Sequence, residues 1–251
     1  MRSALLIIIS LVLNTALGQM NQTDDQGRKH GKWGRKYEGK TVWQYMGEFD
    51  HGEPVGKFYY RYPSNKIKAV VVHDDNSNRS EAYAYHENGK LMSFGIYRGE
   101  KKDSIWSYYG PSERLSMKET YKMDVLHGQK VIYYVPQVAG VPTKYKAQVL
   151  TYKNGVLDGK FYNYYNDGTL KEEGNYLNDK KHGVIKKYHP NGKLQFLLRY
   201  KNGAFHGWQM TYNNMGSEIA RKYFKNGNEL KGDKLKSYLD KLKEEGKNPN
   251  E

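Results

Sequence analysis

Apolar and polar positions follow a schedule along this chain. In YKNGVLDGKFYNYYNDGTLKEEGNY (152–176) and YLNDKKHGVIKKYHPNGKLQFLLRY (176–200), short runs mixing aromatic or apolar with polar residues are cut by Gly, Asn and Asp at matching places. Apolar or aromatic residues on both sides of a turn signal predict a β-hairpin. An aromatic or similar residue recurs at Phe49, His73, Tyr97, Tyr121, Tyr152, Tyr176, Tyr200 and Phe224, at intervals of 24 residues except for 31 between Tyr121 and Tyr152. Seven positions later stand very small residues: Gly56, Ser80, Ser104, Gly128, Gly159, Gly183 and Gly207. Twelve positions later Tyr85, Tyr109, Tyr133, Tyr164, Tyr188 and Tyr212 form a column, broken only by Arg61, and Ile67, Leu91, Leu115, Leu170 and Leu194 form another at eighteen. Gly27 to Phe49 reads as an irregular first unit, which makes about eight.

Each unit carries two turn signals, one near KNG or LND and one at Asn88-Gly89, Asp167-Gly168 or Asn191-Gly192. Asn-Gly and Asp-Gly supply the positive φ angles of a tight type I′ turn. Pairing each strand with the next predicts an all-β, elongated antiparallel β-hairpin meander over 27–230, advancing about 10 Å per unit and roughly 70–80 Å in all if it stays open. The 230–251 tail differs. Leu230, Leu235, Tyr238, Leu239 and Leu242 fall at helical spacing, with Asp233 as N-cap and Gly246 with Pro249 as the stop, so 231–251 reads as a short amphipathic helix and tail that cap the last hairpin. Residues 1–18 join Arg2 to an apolar run from Ala4 to Leu13 and end on Ala16 and Gly18, the pattern of a secretory signal cut near Gly18-Gln19. Residues 19–26 read as a linker. Export is the expectation, with no transmembrane anchor.

Composition supports a thin fold. Of the 251 residues 37% are hydrophobic, yet aromatics reach 14% with 24 tyrosines, enough flat surface to pack a sheet with little cover. With no cysteine there is no disulfide and no lipid-modified N-terminal cysteine. The formal charge of +14 makes an anionic surface, lipid or glycan, a secondary candidate partner. Lysines and acids alternate instead of forming a basic run, so nucleic acid is not an expected partner.

Catalytic motifs are absent: no G-x-S-x-G, H-E-x-x-H or P-loop occurs. His30, His51, His127, His182 and His206 each precede glycine, and four of them fall at one repeat position, which reads as turn geometry and not as a metal ladder. Glu172 and Glu173 point to opposite faces of a strand and cannot flank one bond. No enzyme, metal or cofactor is predicted.

The unit Y-x-N-G-x-x-x-G-x-F-x-x-Y-Y-x-D-G-x-L-x-x-E-G-x-Y at 152–176 resembles the MORN-variant repeat of bacterial proteins, some of them classed as antitoxins, and the likeness runs from about Gly27 to Leu230. The resemblance implies a non-catalytic platform. Two functions follow as expectations: an exported scaffold binding a protein or a cell-envelope polymer, or an antitoxin or immunity partner that occludes a toxin. The candidate contact residues are Tyr109, Tyr133, Tyr164 and Tyr188, with Val138 and Val141 at the apolar tip of the insertion near 135–143. That insertion carries Pro136 and Pro142 where other units have a polar turn, so it should project from the sheet.

Overall fold

The computed structural model describes residues 19–135 and 145–250; the signal segment and the insertion tip lie outside these. Among the described residues, 20 strand segments from Gln22–Thr23 to Asn228–Leu230 form one antiparallel meander in sequence order, in which Val156–Leu157 and Gly159–Tyr164 share the partner Lys146–Lys153, and Ala204–Phe205 and Gly207–Tyr212 share Leu194–Lys201. The insertion interrupts only a hairpin end, because Val125–Tyr133 still pairs with Lys146–Lys153.

The two turns of a unit are built differently. At His51-Gly52, Met123-Asp124, Asn154-Gly155, Asn178-Asp179, Asn202-Gly203 and Asn226-Gly227 both residues have positive φ, between 45° and 96°. These are the tight type I′ turns. The mid-unit dipeptides correct the expectation: Gly89, Gly168 and Gly192 have positive φ, but Asn88, Asp167 and Asn191 do not. The loop is a type I turn followed by one left-handed residue, with the Gly192 N–H donating to His189 O (2.9 Å) and the His189 N–H to Lys193 O (2.8 Å). Its cause is local. The Asn191 and Asp167 side-chain oxygens accept from the backbone N–H two residues on, at 3.1 and 2.8 Å, which holds them right-handed.

The column of very small residues marks a bulge in each second strand. Gly31, Gly56, Ser104, Gly128, Gly159, Gly183 and Gly207 all have φ between 61° and 122°. Register shifts accompany them, as between Glu173 and Asn175 opposite Gly183. At Gly183 nothing would meet an added Cβ within 4 Å, so backbone conformation and not space demands glycine there. Ser80 is the exception, a buried residue in regular register whose Oγ lies 2.9 Å from His73 Nδ1.

Both edges of the sheet are sewn unit to unit. Along the tight-turn edge the Gly155, Asp179, Gly203 and Gly227 N–H groups donate to the carbonyls of Leu126, Leu157, Lys181 and Phe205, at 2.8 to 2.9 Å. Along the other edge, the residue after the column position reaches the next unit in most units. Tyr62, Tyr134 and Tyr165 donate their hydroxyls to the carbonyls of Tyr85, Tyr164 and Tyr188, at 2.7 to 2.8 Å. His86 and His189 place Nε2 at 2.9 and 3.1 Å from the Tyr109 and Tyr212 carbonyls. Gly110 occupies the same position and has no side chain to contribute.

The core is one file of side chains on one face. Phe58, Trp106, Phe161 and Ile185 are 0 to 4% exposed. Three of them lie down across a glycine in the preceding strand: Phe58 on Gly47, Trp106 on Gly95, Ile185 on Gly174. Where the large partner is missing the small one grows, as in the Val71–Ala82 pair. The anchor residues stack into this file, with ring centroids of Phe49 and Phe58 at 5.1 Å, Tyr97 and Trp106 at 4.9 Å, and Phe161 and Tyr176 at 4.9 Å.

The helix spans Gly232–Glu244. Asp233 is not its N-cap. Lys231 is, without a side-chain bond, and Asp233 sits in the first turn, where its charge complements the helix dipole. Tyr238 packs on Tyr223, whose hydroxyl donates to Pro249 O at 2.7 Å, so helix and tail lie on the last strands and the final edge strand is only three residues long.

Candidate binding surface

Each column tyrosine ends the strand that leads into a wide turn, and successive ones stand a hairpin apart, about 10 Å at two strand spacings. Tyr109, Tyr133, Tyr164 and Tyr188 are all half-buried, and no two of their rings are in contact among the described residues. Their environments differ. Tyr188 donates its hydroxyl to Glu173 at 2.7 Å, and burial together with that carboxylate pushes the phenol up to about 12. Tyr164 stands beside Tyr162, with ring centroids 6.5 Å apart and 27° between planes, and burial, Tyr162 and Glu173 raise its phenol as well. Tyr164 and Tyr188 thus share one cluster through Glu173. Lys186 approaches that carboxylate at 3.8 Å, and Lys160, Tyr162, Glu173, Val184 and Lys186 line a depression of about 220 Å³. Tyr109 and Tyr133 stand apart from it. Val138 and Val141 lie outside the described residues.

The opposite face carries chemistry that the column reading did not anticipate. Lys102 places its ammonium 4.6, 5.5 and 5.2 Å from the ring centroids of Trp106, Tyr108 and Tyr121 and donates to the Tyr108 hydroxyl at 3.0 Å. Beside it the buried Glu119 takes Lys130 at 2.9 Å and the Tyr121 hydroxyl at 2.7 Å. Burial alone would push the Glu119 carboxyl up, but these partners outweigh it and hold it below 4.5. One hairpin pair on, Glu172 accepts from Lys181 at 2.8 Å and Asn163 at 3.0 Å. These groups are satisfied internally. Glu172 and Glu173 therefore serve opposite faces, the first facing Lys181 and the second Tyr188.

The His-Gly dipeptides resolve into two places. His30, His127, His182 and His206 directly precede the bulge glycines, within or just before second strands, and not at turns. Nδ1 of His127 and His206 lies 3.1 and 3.0 Å from the side-chain oxygens of Asn154 and Asn226 in the adjacent tight turns, while Nδ1 of His182 is buried without a partner. His51 alone occupies a tight turn. A second concavity of about 650 Å³ lies between the helix and the last hairpins, lined by Lys201, His206, Lys225, Lys241 and Lys247 among others. Glu245 holds Lys247 at 2.6 Å and Lys241 at 3.7 Å, and the Lys225 ammonium sits 4.3 Å over the Tyr238 ring.

Two consecutive units of this surface have a family match. Residues 157–178 and 181–202 match the family described as the MORN repeat variant. Repeats of this family are generally non-catalytic modules used in binding. The matched segments start 24 residues apart and contain Tyr164, Glu173 and Tyr188. No curated protein matches the chain.

Proposed function

We propose that the chain is an exported, non-catalytic scaffold that holds a protein or a cell-envelope polymer on the face bearing Tyr162, Tyr164, Glu173 and Tyr188. One observation carries the reading: the Tyr162 ring, the Glu173 carboxylate and two lysines line a shallow depression on a sheet one layer thick, with Tyr188 bonded to that carboxylate and Tyr164 beside Tyr162. Tyrosine supplies flat apolar area at low entropic cost while its hydroxyl remains a polar handle. Hydrogen bonds at both sheet edges fix the backbone that carries these rings before a partner arrives, which reduces the ordering cost of binding. The insertion near 135–143, which follows Tyr133 in the chain and carries Val138 and Val141, is a second contact in this reading.

Export rests on the signal-like 1–18 segment; no helix among the described residues is long and apolar enough to cross a membrane. Fractionation with N-terminal sequencing tests it, and a cytoplasmic chain retaining Met1 would refute it. For binding, the Tyr164→Ala, Tyr188→Ala double variant and a chain with Pro136–Thr143 replaced by Asn-Gly are compared with the parent in cross-linking capture from envelope fractions, after circular dichroism confirms folding. At least one variant should lose the captured species, because truncating a buried aromatic contact costs about 2 kcal/mol or more. Capture undiminished in both places the contact elsewhere.

A further inference from the structure

We propose that His30, Asp50 and His51 bind a divalent transition ion of the zinc class. The site arises where two repeat positions meet. In later units the histidine before the bulge faces an asparagine in the next tight turn, as His127 faces Asn154 and His206 faces Asn226. A lysine precedes each of those asparagines, Lys153 and Lys225. In the first unit the turn residue is His51 and the residue before it is Asp50. An imidazole–amide pair beside a cation has become two imidazoles beside a carboxylate.

The geometry suits a small ion. The His30 and His51 rings lie 4.8 Å apart between centroids. His30 Nδ1 is 3.4 Å and His51 Nε2 is 3.7 Å from the same Asp50 oxygen, and the ligand atoms of all three residues fall within 4.8 Å of one another. Tetrahedral zinc with bonds of about 2.0–2.2 Å places its ligand atoms roughly 3.3 Å apart. Two edges of the cluster, each ending on Asp50, need to shorten by less than about 0.5 Å, and the longest edge by up to about 1.5 Å, a movement open to exposed side chains.

His51 is also oriented for the task. Its Nδ1 lies 2.7 Å from Asp24 Oδ2, and a proton donated there leaves the Nε2 lone pair on the side of Asp50, the arrangement in which a carboxylate fixes the tautomer of a metal-ligating histidine. Asp24 is itself fixed by the Gln26 and Arg28 backbone N–H groups, both at 2.9 Å, and by Arg28 Nε at 2.8 Å. Arg28 Nη2 also stands 2.9 Å from His51 Nδ1, a contact it can make as donor only to the other tautomer, so metal binding requires the form in which Nδ1 keeps its proton for Asp24 while Arg28 Nε stays on the Asp24 carboxylate. Two imidazoles and one carboxylate favour zinc, nickel or copper over magnesium or calcium. The fourth position opens to solvent.

The test is calorimetric titration of ZnCl₂ into the untagged full chain after chelator treatment, with MgCl₂ as the comparison. One zinc per chain should bind, and magnesium should give no saturable heat. His51→Asn installs the residue that other tight turns carry, so the fold should persist with an unchanged urea midpoint while zinc affinity falls at least about 10-fold. Asp50→Asn should do the same. His206→Asn, at an equivalent bulge without the second imidazole, should leave zinc affinity as it was. Zinc should also shift the His30 and His51 ring-proton resonances together. The assignment is overturned if the parent shows no one-to-one zinc binding, if His51→Asn retains parental affinity, or if His206→Asn weakens binding equally.

Discussion

Gly95→Ala tests the large-on-small rule of the core file. An added Cβ would stand 2.1, 2.3 and 2.5 Å from three ring atoms of Trp106, which is only 4% exposed. Ordinary contact begins near 3.4 Å, so the indole must retreat by more than about 1 Å. That movement strains its Nε1–H bond to Ile96 O, now 3.0 Å, a bond of about 1 kcal/mol. Overpacking adds about 1–3 kcal/mol. Against these, replacing glycine inside a strand gains about 0.5–1 kcal/mol of backbone entropy, since Gly95 has no positive φ to lose. The clash wins, and a net destabilisation of about 2–3 kcal/mol is expected by urea unfolding. Trp106→Ala alone should cost about 3–5 kcal/mol. The double variant recreates the kind of pairing seen at Val71–Ala82, so the two costs should fall short of additivity by about 1 kcal/mol or more. Hydrogen exchange should show the loss concentrated in strands 91–122, because a linear array passes strain chiefly to neighbours. Costs additive within about 0.5 kcal/mol, or protection lost evenly along the chain, would refute the reasoning.

Gly183→Ala should cost about 1–2 kcal/mol through its φ of 72° alone, with Gly183→Asn milder, and changing Ile185 should not alter that cost; urea midpoints of the single and double variants decide it. Tyr165→Phe removes the hydroxyl donated to Tyr188 O and should lose about 0.5–1.5 kcal/mol, whereas Gly110→Tyr should add a missing edge bond to the Tyr133 carbonyl and raise the urea midpoint. Because Glu119 is held below 4.5 in the folded state by Lys130 and Tyr121, its contribution is present above that pH and is lost as pH falls through the lower folded value; Glu119→Gln should flatten this acid limb, and a limb unchanged in that variant would assign it elsewhere. Small-angle scattering should give a radius of gyration above about 22 Å for a stack about 75–80 Å long, against about 17–18 Å for a compact domain of this size.

The sequence by itself determined the hairpin, its period and the meander, because these depend on residues within a few positions of one another. Asn154-Gly155 can adopt consecutive positive φ angles cheaply, and an eight-residue run between two such points has little choice but to pair with its neighbour. The helix at 232–244 was legible for the same reason, its apolar spacing being local. Tertiary structure decided what lies across units. Asn191 looked like a tight turn until its own side chain and Pro190 favoured the right-handed region. Gly183 and Gly174 are the same letter, yet one answers to φ and the other to the body of Ile185, a distinction that exists only once the bulge has set the register. Tyr165 and His189 were visible as aromatic neighbours of the column, but their bonds reach carbonyls 23 residues away. His30 and His51, read apart as turn formers, face each other across Asp50 because the tight turn of one hairpin is bound to the bulged strand of the last. Local preference is written in adjacent residues, whereas a contact between units is fixed by register, which bulges and edge bonds set together.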